Sequence, residues 1–357
     1  ELHGSSSRFG GTTVSKPRAA AKHLAPSAGT RLTTAIAAAA TFAAATDASS
    51  QASVIFVRAS QALPVAQQTG ATWATAFKDL QAGLSAAVTG DEIWIAQGTY
   101  KPTTGTSRTA TFNLKSGVTL IGGFAGTETL VSQRDILANR SILSGDIGGP
   151  TNADNSYHVV RAASLANPTV IEGLTIQDGN ANGNPGLSET IGAGIFSSTS
   201  HLFCVRCTVR NNVSIGPGAV MSNSTASDKR ITLFECLVVG NQTGPSINIQ
   251  GIGGGNISQC TISHNGGGVL YVGTPTNPSL LSNSIIAFNG QGIENDQFLI
   301  STTSPIVTAC DIQDWDNVNP SSPTTIALDP LFLDPLGSDG IIGTNDGQDA
   351  FILRYGN

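Results

Sequence analysis

Few side chains in this chain are equipped for catalysis, and their placement limits the chemistry. No Lys or Arg occurs between Ile231 and Leu353, so the basic candidates in the middle of the chain include Lys101, Lys115, Arg134, Arg140, Arg161, Arg206, Arg210, Lys229 and Arg230. Elimination at a uronate needs such a base beside an acidified proton, with a cation to neutralise the carboxylate. Hydrolysis with inversion needs two clustered carboxylates. Asp146, Asp154 and Asp178 are the carboxylates able to converge, although loop Asp residues usually serve turns. His264 is a lone candidate base, and a turn-lining His is more often structural. The chain has no Gly-x-Ser-x-Gly elbow, phosphate loop or metal-type His pair. Catalytic residues therefore stay unassigned at this stage.

Two further groups point to binding. Asp334, Asp339, Asn345, Asp346 and Asp349 gather oxygen ligands around Gly turns, which is hard-cation chemistry suited to a structural Ca²⁺ closing the C-terminal end. Their spacing is not that of an EF-hand, and Asp-Gly turns alone produce similar strings. Arg206, Glu235, Gln259 and Asn283 recur at one place in a repeat and form an outward polar column. Such a column could follow a glycan chain, whose hydroxyls recur on a comparable length scale. Arg206 and Glu235 are expected to pair across neighbouring coils, a contact worth on the order of 0–1 kcal/mol. Trp315 and Tyr271 are the candidate stacking platforms for a sugar in a chain with 6% aromatics.

The elements that position these residues are repeats. Cys204-Val-Arg-Cys207-Thr-Val209-Arg-Asn-Asn212 returns as Leu233 to Asn241, Ile257 to Asn265 and Leu281 to Asn289, and more faintly as Val307 to Ile312. The Cys or Ser at its centre (207, 236, 260, 284, 310) advances by 29, 24, 24 and 26 residues. A period of this size means a solenoid whose units bury their apolar faces against their neighbours. Ile257 to Asn265 also matches the leucine-rich-repeat consensus, which requires a return segment that is often helical. Here the segments after the Asn are Gly-rich: Gly266-Gly-Gly-Val269 and Gly290-Gln-Gly-Ile293, with Gly216-Pro-Gly-Ala-Val220 and Gly192-Ala-Gly-Ile195 earlier. These are bends leading into short strands. The expected fold is an all-β, right-handed parallel β-helix. Thr75 to Val88 should form an N-terminal capping helix through Ala76, Phe77, Leu80, Leu84, Ala87 and Val88. The Asn column (212, 241, 265, 289) should stack its amides along one turn.

Composition agrees with short strands and tight turns: 41 Gly and 12% charged residues in 357. Residues 1–53 hold five basic groups and two acidic ones, which leaves 13 basic and 22 acidic groups in the rest of the chain. That body has no general affinity for nucleic acid or anionic membranes. Residues 1–53 read as a signal peptide or disordered leader, with a positive flank, the short run Leu32–Ala45 and a small-residue exit. The run is too short for a membrane span. Residues 54–100 form the expected cap and first strand, 101–330 the coils, and 331–357 a truncated Asp/Gly-rich loop. The five Cys share a core position or its aliphatic neighbour and read as buried hydrophobes more than as a disulfide set.

The first coils carry a resemblance. Trp73-Ala-Thr-Ala-Phe-Lys-Asp-Leu-Gln81, Gly90-Asp-Glu-Ile-Trp-Ile-Ala-Gln-Gly-Thr-Tyr100 and Gly122-Gly-Phe-Ala-Gly-Thr-Glu128 hold part of it. Arg134-Asp135, Ile142 to Ile147, Asp154 to Val160 and Leu328-Asp-Pro-Leu-Phe332 hold the rest. Over roughly residues 72–355 the chain resembles bacterial secreted proteins of the pectate-lyase-like β-helix superfamily, and within it the choice-of-anchor Q surface proteins. The resemblance implies a β-helix, export and display at the cell surface or beyond it. It implies no particular activity. The expectation is a monomeric glycan-contacting or adhesive surface protein. The alternatives are a polysaccharide lyase, less so a glycoside hydrolase, working in a groove on the early coils, and a purely structural solenoid.

Overall fold

A computed structural model describes residues 52–149, 151–273, 275–276, 278–290, 298–300, 305–313, 324–327, 330, 332–334 and 350–353. Among these, almost every strand lies in one of three all-parallel sheets. The first sheet has nine strands: Val54–Val57, Glu92–Ala96, Thr119–Phe124, Thr169–Glu172, Leu202–Val205, Ile231–Phe234, Gly255–Ser258, Leu280–Ser282 and Ile306–Thr308. The second has eight, from Gly98–Tyr100 through Ser141–Ser144, Leu174–Gln177, Thr208–Arg210, Leu237–Val239, Thr261–Ser263 and Ile285–Ala287 to Asp311–Ile312. The third has seven, from Phe112–Asn113 to Phe298–Ile300. The chain visits the three in turn and then starts the next coil, so the fold is a right-handed parallel β-helix. An antiparallel pair, Phe332–Asp334 with Ala350–Leu353, stands apart from the three sheets.

Register explains why the pattern folds this way. Ile55, Ile93, Leu120, Ile171, Cys204, Leu233, Ile257, Leu281 and Val307 face one another across successive strands of the first sheet. Tyr100, Leu143, Ile176, Val209, Val238, Ile262, Ile286 and Ile312 do the same in the second. These columns are buried in one continuous core. Each coil is thus a lid for the next, and alternation of period two sets which residues enter it.

Two bends hold the coil together. Between the first and second sheets a single left-handed residue turns the chain: Gly173, Arg206, Glu235, Gln259, Asn283 and Ala309, with φ from 49° to 65°. The next residue enters the core, and from the second such bend onward it is Cys207, Cys236, Cys260, Ser284 and Cys310. Each donates to the carbonyl two residues before it, at 3.2–3.5 Å for sulfur and 2.8 Å for Ser284. A hydroxyl and a thiol do the same work there, which is why Ser replaces Cys once. All five thiols are free and buried, and burial pushes the thiols of Cys204, Cys207 and Cys236 well up.

At the second bend the Asn column is an amide ladder. The Asn212, Asn241 and Asn265 Nδ2 atoms donate to the next residue's Oδ1 at 3.0, 2.9 and 2.9 Å. The same oxygens accept from the backbone N–H groups of those residues. In the coil before, Gly179 takes the place, and its N–H donates to Asn212 Oδ1 at 2.9 Å.

The cap is shorter than the sequence pattern predicts. Helix α1 runs only over Leu80–Ala86, with Asp79 accepting from the Gln81 N–H as N-cap. Leu80, Leu84, Ala76 and Ala87 are buried as expected, but Val88 is exposed and Phe77 instead joins a backbone bridge to Val57. Gly83 allows the close approach: a Cβ there would meet Val57 Cγ2 at 2.7 Å. The apolar run from Val170 to Ile176 belongs to two strands of different sheets, Thr169–Glu172 and Leu174–Gln177, separated by the positive φ of Gly173.

A second, smaller core lies outside the first sheet in the earliest coils. Phe56, Trp73, Trp94 and Phe124 pack together, with Trp94 stacked on Phe124 at 4.7 Å and Trp73 edge-on to Phe56 at 4.7 Å. The Trp73 Nε1–H donates to the Glu128 carbonyl at 2.8 Å. Partial burial raises the Glu128 carboxyl, but backbone N–H donors at Ala125, Gly126 and Thr127 outweigh it and hold the group below its usual range.

Candidate functional site

Arg206, Glu235, Gln259 and Asn283 all occupy the first bend, one per coil, and all are exposed. A single-residue turn forces the left-handed conformation, which points the side chain away from the barrel. The column is therefore a ridge with a step of about 4.8 Å. For Cβ-bearing residues this conformation costs about 1–2 kcal/mol each. Gly173 fills the same position in an earlier coil, so the turn itself does not require a side chain.

The expected pair between Arg206 and Glu235 does not form. Arg206 Nη2 instead reaches back one coil to Glu172 Oε1, and that oxygen also receives Arg134 Nη2. Arg134 arrives from the connection between the first two sheets and bonds the Gly122 carbonyl at 3.0 Å. Its side chain is nearly buried, whereas that of Arg206 is half-exposed. Glu172 wins because it shares a sheet face with Val205, immediately before the bend, and lies within reach of both guanidiniums.

On the second sheet the three candidate carboxylates keep separate partners, and Ser144 links only the Asp178 carboxylate to the Asp146 backbone. Ser144 Oγ donates to Asp178 Oδ2 at 2.8 Å and accepts from the Asp146 N–H at 3.2 Å. Asp178 also receives Gln177 Nε2 at 2.7 Å and Asn211 Nδ2 at 2.6 Å. Gln177 Oε1 accepts from the buried Arg210 guanidinium, and Asp146 pairs with Lys101 at 3.1 Å. Asp154 is not part of this group, since its carboxylate accepts from the Gly149 N–H. Three side-chain donors fix Asp178 in place, an arrangement that orders a turn as readily as it prepares an acid.

His264 lies at the left-handed second bend, with its ring 5.1 Å from Phe288 and Nδ1 2.7 Å from Ser263 Oγ. Burial lowers its pKa, as it does for His201 and, more deeply buried, His158. Tyr271 cannot be a sugar platform, because it faces the core and is 3% exposed. Trp315 lies outside the described residues, as do Asp339, Asn345, Asp346 and Asp349; Asp334 ends a described strand. Among the described residues no group of three or more His, Cys, Asp or Glu side chains could hold a metal. No helix among them is long and apolar enough to cross a membrane.

The sequence reading missed the aromatic side chains beside the ridge. Phe203 and Phe234 point outward from the first sheet, one coil apart, and both are half-buried. Each adjoins an inward residue, Cys204 or Leu233, so strict alternation placed them on this face in advance.

No family model matches the chain, and no curated protein matches it. The chain is similar to solved structures at low identity. They include a pectin methylesterase from Aspergillus niger (12% identity, 80% of this chain and 93% of that one, TM-score 0.40). Another is a pectin methylesterase from Erwinia chrysanthemi (12%, 84% and 95%, TM-score 0.34). A third is a pectate lyase (13%, 86% and 90%, TM-score 0.35). At these scores the likeness says nothing of activity, and the fold rests on the sheets described above.

Proposed function

We propose that this is an exported, glycan-contacting β-helix protein, binding through the ridge of Arg206, Glu235, Gln259 and Asn283. The observation that carries this reading is that consecutive coils hold an exposed polar side chain at a strained position where Gly would be more comfortable. Four such side chains on a fixed step offer an extended polymer a repeated set of hydrogen-bond partners. The leader-like residues 1–53 support export, and the resemblance carried by the first coils supports surface display. A structural Ca²⁺ at Asp334, Asp339, Asn345, Asp346 and Asp349 belongs to the same proposal.

A second reading is favoured by one observation: the Asp178 carboxylate is fixed by Ser144, Gln177 and Asn211, Gln177 also holds Arg210, and the Asp146–Lys101 ion pair lies two residues beyond Ser144. This is the place where a carbohydrate-active enzyme would work. One experiment separates the two. The chain is incubated with insoluble and soluble polysaccharides, and retention, unsaturated-product absorbance and reducing ends are followed together. Retention without product, lost when the four ridge residues are changed to Gly, is the expected result. Product formation abolished by Asp178→Asn would replace the binding reading with the catalytic one.

A further inference from the structure

We infer that Asp154, Ser156 and Asn180 bind a Ca²⁺ ion where an early coil passes from the second sheet to the third, a site separate from the tail cluster. Three buried oxygens carry the inference. Asp154 Oδ1, Ser156 Oγ and Asn180 Oδ1 have no hydrogen-bond partner among the described residues. Asn180 is 3% exposed and Ser156 is fully buried. The three residues are neighbours. The Asn180 N–H donates to the Ser156 carbonyl at 2.8 Å. Asn180 Nδ2 donates at 2.6 Å to the Asn152 carbonyl, in the single turn Asn152–Asp154. Exchanging the two ends of that amide would only set its oxygen against the Asn152 carbonyl. The Asp154 carboxylate has one donor, the Gly149 N–H, and it lies on the other oxygen, Oδ2. Gly148 lets the loop close over this carboxylate, since a Cβ there would collide with Asp154 Oδ2.

Chemistry selects the ligand. Two of the three oxygens can only accept, and Ser156 Oγ donates to neither of them. A bare carboxylate oxygen is the costliest of the three to bury. Among the described residues no Lys, Arg or His pairs with Asp154. Lys101 pairs with Asp146, and Arg108 directs its donors to the Asn155 and Asn180 carbonyls and to Asn182 Oδ1. A water could donate to two of the oxygens but would leave the charge uncompensated. Ca²⁺ takes carboxylate and neutral oxygens in irregular loops, whereas Mg²⁺ demands a near-ideal octahedron. With one carboxylate, and Arg108 beside it, the affinity should be that of extracellular modules, a Kd of about 10⁻⁴–10⁻³ M. The position also has a structural logic. The amide ladder starts at Asn212, and Gly179 holds its place one coil earlier. The ion would tie down a bend that has no ladder amide.

The test uses the full chain, freed of divalent ions with chelator and melted thermally across a Ca²⁺ titration. The background carries Asp339→Asn and Asp346→Asn, which removes carboxylates of the tail cluster. In that background the melting temperature should rise with Ca²⁺, half-maximally at about 10⁻⁴–10⁻³ M. Adding Asp154→Asn, which keeps the shape of the side chain, should abolish the rise. No rise in the tail background would mean that water alone meets the three oxygens, and would overturn the inference. A rise that survives Asp154→Asn would overturn it too. A second readout stands if Asp154→Asn does not fold. Tb³⁺ in the site should luminesce on excitation of Tyr157, the residue after Ser156, and Ca²⁺ should compete the signal away. Tyr157→Phe keeps the ring under Arg108 and should remove most of the luminescence. Luminescence unchanged in that variant would place the ion elsewhere.

Discussion

The outer face of the first sheet behaves differently at its two ends. In the earliest coils one outward column holds Phe56, Trp94 and Ile121, and a loop carrying Trp73 closes over it. Further along, the same column reads Glu172, Val205, Phe234, Ser258, Ser282 and Thr308. The sheet is the same, apart from a register shift between Trp94 and Ala96; the connections differ. Residues 125–140 separate the first and second strands of an early coil, whereas one left-handed residue and its successor make that step from Gly173 onward. A long connection folds back and builds a second core. A two-residue bend cannot, so Val205 and Phe234 stay half-exposed, although Ser258 and Ser282 in the same column are buried, and the strand ends carry the ridge. Where the chain economises on its connections, it exposes surface.

Truncation at the two ends should break or confirm this contrast most sharply. Phe124 is fully buried in the outer core, and Phe124→Ala is expected to cost about 3–5 kcal/mol. Phe234→Ala on the later face should cost less, about 1–2 kcal/mol, since the residue is only partly buried. Urea denaturation of both variants compares them, and equal losses would show that the later face is covered after all. Next in size is the amide ladder on the second bend. Asn265→Ala leaves the Asn241 N–H and Nδ2 without their acceptor, at a cost of about 2–4 kcal/mol by the same measurement. Placing an Asn at Gly179 to extend the ladder should also destabilise, because a Cβ there meets the Ala193 carbonyl oxygen at 2.1 Å.

Smaller effects refine the picture. Glu235→Gly relieves a left-handed Cβ and should raise stability by about 0.5–1 kcal/mol while weakening glycan retention. A loss of stability instead would mean that the Glu235 side chain supports the bend. His158 is buried against Phe196, and its pKa lies below the ordinary value of about 6.5. The unfolded chain then takes up the proton first, so stability should fall as pH drops below about 6.5. Thermal melts across that range should show a shallower slope in His158→Gln, and an unchanged slope would move the effect to His201 or His264.

Much of the coil was legible from spacing alone. Period-two alternation around Cys204 or Leu233 gives the inward residues, and the recurring Asn gives the second bend, because both are local and repeated. The ridge was legible for the same reason. Its pairing was not: Arg206 reaches Glu172, and Arg134 joins them from a connection whose path no periodicity describes. The hydrogen bond from Ser144 to Asp178 likewise depends on stacking between coils of unequal length. The cap was overread because its apolar stripe continues beyond the helix into a bridge with Val57.

The equal spacing of Cys236, Cys260 and Ser284 has a consequence for length itself. Two successive coils of 24 residues carry the same bend, the same donor to the carbonyl two residues back and the same ladder amide. Excising one such unit would join like to like, shortening the rod by about 4.8 Å without altering its cross-section. Excising 23 or 25 residues would turn the core outward. The molecule is in this sense a ruler graduated in whole coils, whose reach can change by duplication or loss without any change of design.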